Sequence, residues 1–218
     1  MAKSLLLPLF ERGDFLPNEV IGIVGHRESI ERSLSQLPKG IRVVSADDPI
    51  AQEAWSAPIQ LLAVKPQQFS YIADNLNKID KNNSEKSLLI SVLAGVSLHK
   101  LQKSFPFHLC IRAVPNTPVI IKKGLTGLAW GEGISVKQRL FVKELFQSIS
   151  EVFEFPEQQL DAFLALTSSG PAYVALMTEA LADGAVAAGL PRSIANYLSH
   201  RTLYGTSLLL KEKDLHPG

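Results

Sequence analysis

Residues 160–192, LDAFLALTSSGPAYVALMTEALADGAVAAGLPR, decide how the rest of the chain is read. Ser168, Ser169, Gly170 and Pro171 are helix-start signals: hydroxyls that accept from first-turn amides, then a proline that fits a first turn. Gly189 marks a stop, and Pro191 restarts the chain two residues on. The stretch therefore predicts a helix, a tight polar turn, a long alanine-rich helix and the start of a third helix. Ala175, Ala180, Ala182, Gly184, Ala185, Ala187 and Ala188 leave the long helix with little side-chain bulk, so another helix can approach it closely. The two serines read first as caps, and an exposed helix start bearing hydroxyls is also suited to an anion.

The succession LDA, TSSGPAY, EALADGAV and GLPR resembles the pyrroline-5-carboxylate reductase family. Residues 160–162, 167–173, 179–186 and 189–192 carry the resemblance, with Ser168 standing where the family usually has glycine. It implies an α/β fold: a Rossmann-like parallel sheet with helices on both faces, followed by an all-helical dimerisation domain. It also implies an oxidoreductase that transfers hydride from NAD(P)H to the C=N carbon of 1-pyrroline-5-carboxylate, giving L-proline.

Working outward, the composition bounds the partners. The 218 residues carry 22 Lys and Arg against 21 Asp and Glu, with 46% hydrophobic residues, an ordinary globular balance. There is no basic excess to meet nucleic acid or an anionic membrane. The apolar runs read as too short or too interrupted to span a bilayer, and no signal peptide is evident. Cys110 is the single cysteine and cannot form an internal disulfide, which favours a reducing cytoplasm. Between Leu109 and Ile111 it reads as a core thiol. His26, His99, His108, His200 and His216 show no ligand spacing, so no metal site is expected.

Upstream, residues 1–13 read as a short helix that Pro8 should kink or shorten, ending at Gly13. Apolar, β-branched runs at 20–24, 41–44, 59–64, 87–93 and 108–114 predict strands. Helical patterns lie between them: 29–37, one through Phe69, Ile72, Leu76 and Ile79 before a polar loop at 80–86, and one through Leu98 and Leu101. Buried strands alternating with helices argue for a parallel sheet covered on both faces. Pro115, Asn116, Thr117 and Pro118 form a stiff loop, and residues 136–148 form an amphipathic helix. Beyond Glu157 the pattern is helical, placing the boundary between residues 1–156 and 157–218.

Ligands in such sheets sit at the carboxyl ends of strands. Three segments lie there: Ala63, Val64, Lys65 and Pro66; Val92, Leu93, Ala94 and Gly95; and Val114 to Pro118. Each is explained equally well as a strand ending in a turn. The family resemblance implies that Ala63 to Pro66 and Val92 to Ala94 line the nicotinamide end of the cofactor. It further implies that Asn116, in the PNTP loop, and Glu157 border the imino-acid pocket. Asp47 and Asp48 fall near the adenosine ribose in that layout. Cofactor choice is set after the 20–24 strand, where a basic residue accommodates the extra phosphate of NADP. Arg27 is that residue, so NADPH is favoured and NADH is the alternative. No catalytic residue is assignable.

A dinucleotide domain is expected to open on a strand and a glycine-rich loop. No such pattern precedes Lys3, and the family's serine-proline-glycine-glycine-threonine segment would follow Gly218. The reading is therefore a reductase-family chain lacking its first strand and its C-terminal segment, with low turnover expected. The rival readings are a non-catalytic, dimer-forming fragment of that family and another NADP-dependent oxidoreductase of similar architecture. The partners expected are a small imino acid and a second copy of the chain, in a homodimer or larger homo-oligomer through the C-terminal helices.

Overall fold

The computed structural model describes residues 2–76 and 86–216. Its strands and helices alternate: α1 (Ala2–Arg12), β1 (Ile21–Val24), α2 (Glu28–Leu34), β2 (Arg42–Ser45), α3 (Ala51–Trp55), β3 (Ile59–Leu62), α4 (Phe69–Leu76), β4 (Ser87–Ser91), α5 (Leu98–Ser104) and β5 (His108–Pro115). Then follow β6 (Gly124–Trp130), α6 (Val136–Gln147), β7 (Ser150–Glu154), α7 (Glu157–Ala187) and α8 (Arg192–Lys213). Ile79 and residues 80–85 of the polar loop expected at 80–86 lie outside the described residues. The chain divides into two compact units, Met1–Leu164 and Ala165–Gly218.

In the first unit, β1 and β2 pair in parallel, and a five-stranded set runs β3-β4-β5-β6-β7. Among the described residues β1 pairs only with β2, and β3 only with β4. The β5–β6 pair is antiparallel, a departure from the parallel sheet expected, while the other pairs are parallel. The reason is the connection. Only a 3-10 turn, Thr117–Ile121, and three residues separate β5 from β6, too few for a crossover.

Alternation along the strands sends side chains into two cores. Leu89, Cys110, Val114 and Ala129 pack with Phe69, Ile72 and Leu76 of α4, Leu98 and Leu101 of α5 and Leu160 of α7. Leu88, Ile90, Ile111, Ala113 and Leu128 pack with Leu5 and Leu9 of α1 and Val142 and Phe146 of α6. The sheet is thus covered on both faces, as its doubly apolar strands require. Cys110 is 1% exposed, and burial pushes its thiol up to about 12.

Pro8 does not end α1, which continues to Arg12 before Gly13 (φ 77) closes it. Pro8 is buried with Leu5 and Leu9, so packing outweighs the helix bond it forgoes.

The tight turn expected at 168–171 is absent: α7 is one helix through Ser168, Ser169, Gly170 and Pro171. The start signals are local, and strong helix formers on either side carry the helix across them. One consequence concerns length. Made continuous, α7 is long and apolar enough to cross a membrane by length and composition, with 11% of its most apolar window buried.

In the second unit Gly189 (φ 101) ends the α7 turn, with Leu190 N–H donating to Ala185 O. Pro191 caps α8, and Arg192 reaches back to Asp183 at 2.5 Å. Ala182, Ala195 and Ser199 are buried. Tyr173, Leu176, Met177, Tyr197, Leu198 and Leu209 are exposed.

Candidate cofactor and substrate site

The strand-end segments are built from the sheet outward. β3 gives way to Ala63, Val64 and Lys65, and Pro66 opens a 3-10 turn, Pro66–Gln68, where its fixed φ suits a first position. β4 gives way to Val92, Leu93 and Ala94, then Gly95 at φ 71. Val92 N–H donates to Leu62 O at 3.0 Å, so these two segments lie side by side. A Cβ on Gly25 would stand 2.9 Å from Gln68 Nε2, which brings the end of β1 against the turn after β3.

There a cavity of about 300 Å³ is lined by Gly25, His26, Arg27, Glu28, Asp47 and Tyr71. Arg27 Nη2 lies 3.2 Å from Asp47 Oδ2, and both side chains are largely exposed. The Ser45 hydroxyl and the Asp47 amide hold the Asp47 carboxyl below its ordinary range, and Arg27 adds to this. Asp48 is turned to its own loop, accepting from Ile50 N–H.

Asn116 is 5% exposed, and its Oδ1 accepts from Leu125 N–H at 2.8 Å while its own N–H donates to Leu125 O. The side chain thus completes the first rung between the loop after β5 and β6. Glu157 is not a solvated charge. Its Oε1 accepts from the amide of Leu98, at the first position of α5, and from Arg112 Nη1 at 3.1 Å. Arg112 Nη2 reaches Asp161 Oδ1 at 3.0 Å. The Arg112 side chain is 5% exposed, so a guanidinium is buried beneath the sheet end and matched by two carboxylates one turn apart on α7.

The structure therefore brings the β3 and β4 segments together, sets Arg27 beside the turn following β3, and joins Glu157 to the β4–α5 connection through Leu98. Arg112, Asp161 and Tyr71 are the residues sequence reasoning missed. The signal for Arg112 was present: one charge inside the apolar run HLCIRAVP must find a partner when buried. Among the described residues no group of three or more His, Cys, Asp or Glu side chains is placed to hold a metal ion.

Comparisons with known proteins fit this layout. The family model described as pyrroline-5-carboxylate reductase dimerisation matches residues 157–218. That described as NADP oxidoreductase, coenzyme F420-dependent, matches residues 1–95. A pyrroline-5-carboxylate reductase of Synechocystis is 41% identical over 218 residues, covering 100% of this chain and 78% of the relative. The solved structure of a pyrroline-5-carboxylate reductase from Coxiella burnetii superposes with a TM-score of 0.82 at 27% identity, over 99% of this chain and 77% of that one. A Plasmodium falciparum pyrroline carboxylate reductase, solved with NADP bound, shares the fold with a TM-score of 0.81 at 22% identity, over 97% and 75% of the two chains. With a whole-chain match at this identity, running through both the strand-end segments and the helices from residue 157 onward, the chain belongs to the pyrroline-5-carboxylate reductase family.

Proposed function

We propose that the protein reduces 1-pyrroline-5-carboxylate to L-proline with NADPH, the last step of proline biosynthesis, in the cytoplasm. The observation that carries this reading is the 41% identity to the Synechocystis enzyme along all 218 residues. In this reading residues 1–156 hold the cofactor, and residues 157–218 dimerise and complete the substrate pocket.

The residues present fit a nicotinamide dinucleotide at two places. At one, an arginine borders a 300 Å³ cavity at the end of β1, open to solvent and suited to a ribose phosphate. At the other, Ala63 to Pro66 and Val92 to Ala94 run side by side at the carboxyl ends of β3 and β4, suited to a flat ring. NADPH, when bound, supplies the hydride; the chain supplies orientation and electrostatics. Arg27 would hold the 2′-phosphate in exchange for Asp47. Asn116 and Glu157 would border the imino acid, each fixing a backbone turn rather than donating a proton. A substrate already protonated at nitrogen needs no general acid in the hydride step.

The exposed apolar side chains of α7 and α8 support a homodimer or larger homo-oligomer. Tyr173, Leu176, Met177 and Leu209 are each more than half exposed in the single chain, and a second copy would cover them. This cover, rather than lipid, is our account of why so apolar a helix is so little buried.

The test is NADPH oxidation by the purified protein with and without 1-pyrroline-5-carboxylate, with proline assayed in the product. Substrate-dependent oxidation yielding proline supports the reading. Oxidation without proline formation would sink it.

A further inference from the structure

We infer that Arg112 is a positioning residue for the cofactor: by holding Glu157 against the amide of Leu98, it fixes the connection Val92 to Ser97 on which the nicotinamide end is proposed to lie. The inference rests on the proposed NADPH-dependent function.

A helix start leaves its first amides without helical partners. In α5 these are shared between two sources. Ser97 Oγ accepts from Lys100 N–H at 3.2 Å, a cap supplied by the adjacent residue. Leu98 N–H is taken instead by Glu157, 59 residues further along the chain. The connection from β4 to α5 is therefore tied at both ends, by Val92 N–H on Leu62 O and by Leu98 N–H on Glu157. Between the ties stand the five residues Leu93 to Ser97, of which only Gly95 has left-handed backbone, φ 71.

The second tie depends on charge. Glu157 keeps 24% of its side-chain exposure, so water competes for its carboxylate. Arg112, 5% exposed, cannot follow it into water and holds Oε1 where Leu98 needs it. Asp161 is 82% exposed and pairs with the other Nη, anchoring the guanidinium without touching α5. The fork geometry of arginine matters here, because one planar group must serve two carboxylates at once. Asp161, in the LDA segment, thus orients Arg112, Arg112 orients Glu157, and Glu157 sets the turn.

The experiment uses the full chain with R112K, E157A, D161N and I149V. Lysine keeps the charge but cannot span both carboxylates. E157A leaves Arg112 paired with Asp161, so it keeps the buried cation neutralised and tests the same tie if R112K does not fold. Ile149, 1% exposed in the opposite core, is the control for simple loss of stability. Amide exchange at Leu98 reads the turn directly, and NADP⁺ titration reads its consequence. In R112K and E157A we expect Leu98 exchange to rise about tenfold. We expect NADP⁺ affinity to fall about tenfold, the scale of one charge-assisted hydrogen bond. KM for NADPH should rise with it, with a far smaller change in kcat.

D161N should move both readouts in the same direction by less, and I149V should lower Tm without moving either. Leu98 exchange or NADP⁺ affinity within about twofold of wild type in the folded E157A variant would overturn the inference, since one charge-assisted bond is worth more than that. An I149V variant that weakens NADP⁺ binding as much as R112K would overturn it too, by showing a general stability effect. If the wild type does not bind NADP⁺, the proposed function fails first, before any variant is compared.

Discussion

Replacing Gly127 by alanine tests how the first turns of α7, residues 157–164, pack on the sheet within the first unit. Gly127 lies mid-β6, opposite Val114 on one side and Phe153 on the other. A Cβ there would stand 2.8 Å from Leu160 Cδ2 and 2.9 Å from Phe163 Cδ1. Ordinary carbon contacts are about 3.5–4.0 Å, so both side chains must recede by roughly 0.6–1 Å. Leu160 is fully buried, and Phe163 packs on Phe155 with ring centroids 5.4 Å apart, which leaves little room to recede. Overpacking of this kind costs about 1–3 kcal/mol. Alanine restricts the unfolded chain more than glycine, returning roughly 0.4–1 kcal/mol. The net expectation is a loss of about 0.5–2 kcal/mol. With m-values of about 1–3 kcal/mol/M, the urea midpoint should fall by roughly 0.2–2 M at fixed protein concentration. Leu160→Ala removes one of the two contacts and gives Phe163 room to recede, so in that background the Gly127→Ala cost should fall. That is a coupling energy of about 0.5–3 kcal/mol between touching residues. A Gly127→Ala variant as stable as wild type, or a cost unchanged in the Leu160→Ala background, refutes the argument that close approach of α7 requires this glycine.

Arg27→Ala should weaken NADPH binding about tenfold or more and leave NADH binding almost unchanged, since only the former carries the 2′-phosphate; titration with both nucleotides decides, and equal losses would assign Arg27 another role. Burial holds the His108 imidazole below its ordinary 6.5 in the folded chain, so the unfolded chain takes up the proton first as pH falls. The stability this contributes is present above about 6.5 and is lost as pH falls from there through the folded value. Urea midpoints measured from pH 7 to 5 should therefore decline, and His108→Gln should flatten that slope; an unchanged slope would mean another group is responsible. A Cβ on Gly184 meets nothing within 4 Å in the single chain, so Gly184→Leu should leave the protomer folded. If a second copy packs there, overpacking of about 1–3 kcal/mol should weaken dimerisation, which sedimentation reads as a shift toward monomer. Unaltered association would place the interface elsewhere.

The strands with strong β-branched runs were legible to within a few residues, and the central pair β4 and β5 most clearly, because they are buried along nearly their whole length. β6 and β7 were not. GLTGLAW carries two glycines that dilute the β signal, and both are there for packing: Gly124 lies against Val119 and Gly127 against Leu160. β7, SEVFE, is an edge strand with Glu151 and Glu154 exposed, too polar to stand out. The serines and proline at 168–171 misled for a different reason. Capping preferences are local statements, and the leucine- and alanine-rich flanks impose one helix across them.

In the site, the strand-end segments followed from topology, since ligands in such sheets gather at carboxyl ends. Partnerships across the chain did not. Nothing in the spacing links Leu98 to Glu157 or Arg27 to Asp47, because each pair meets only once the sheet has formed. The family resemblance places Glu157 at the border of the imino-acid pocket. Its carboxylate also meets Arg112 and the start of α5, a partnership visible only in three dimensions.

The reduction itself is tested most directly by following the hydride. The protein is incubated with 1-pyrroline-5-carboxylate and NADPH carrying deuterium at both positions of the transferring nicotinamide carbon, and the proline formed is examined by mass spectrometry. The account predicts L-proline heavier by one deuterium, carried at the former C=N carbon, with NADPH consumed in equal amount. Unlabelled proline, or NADPH consumption with no proline, would contradict it.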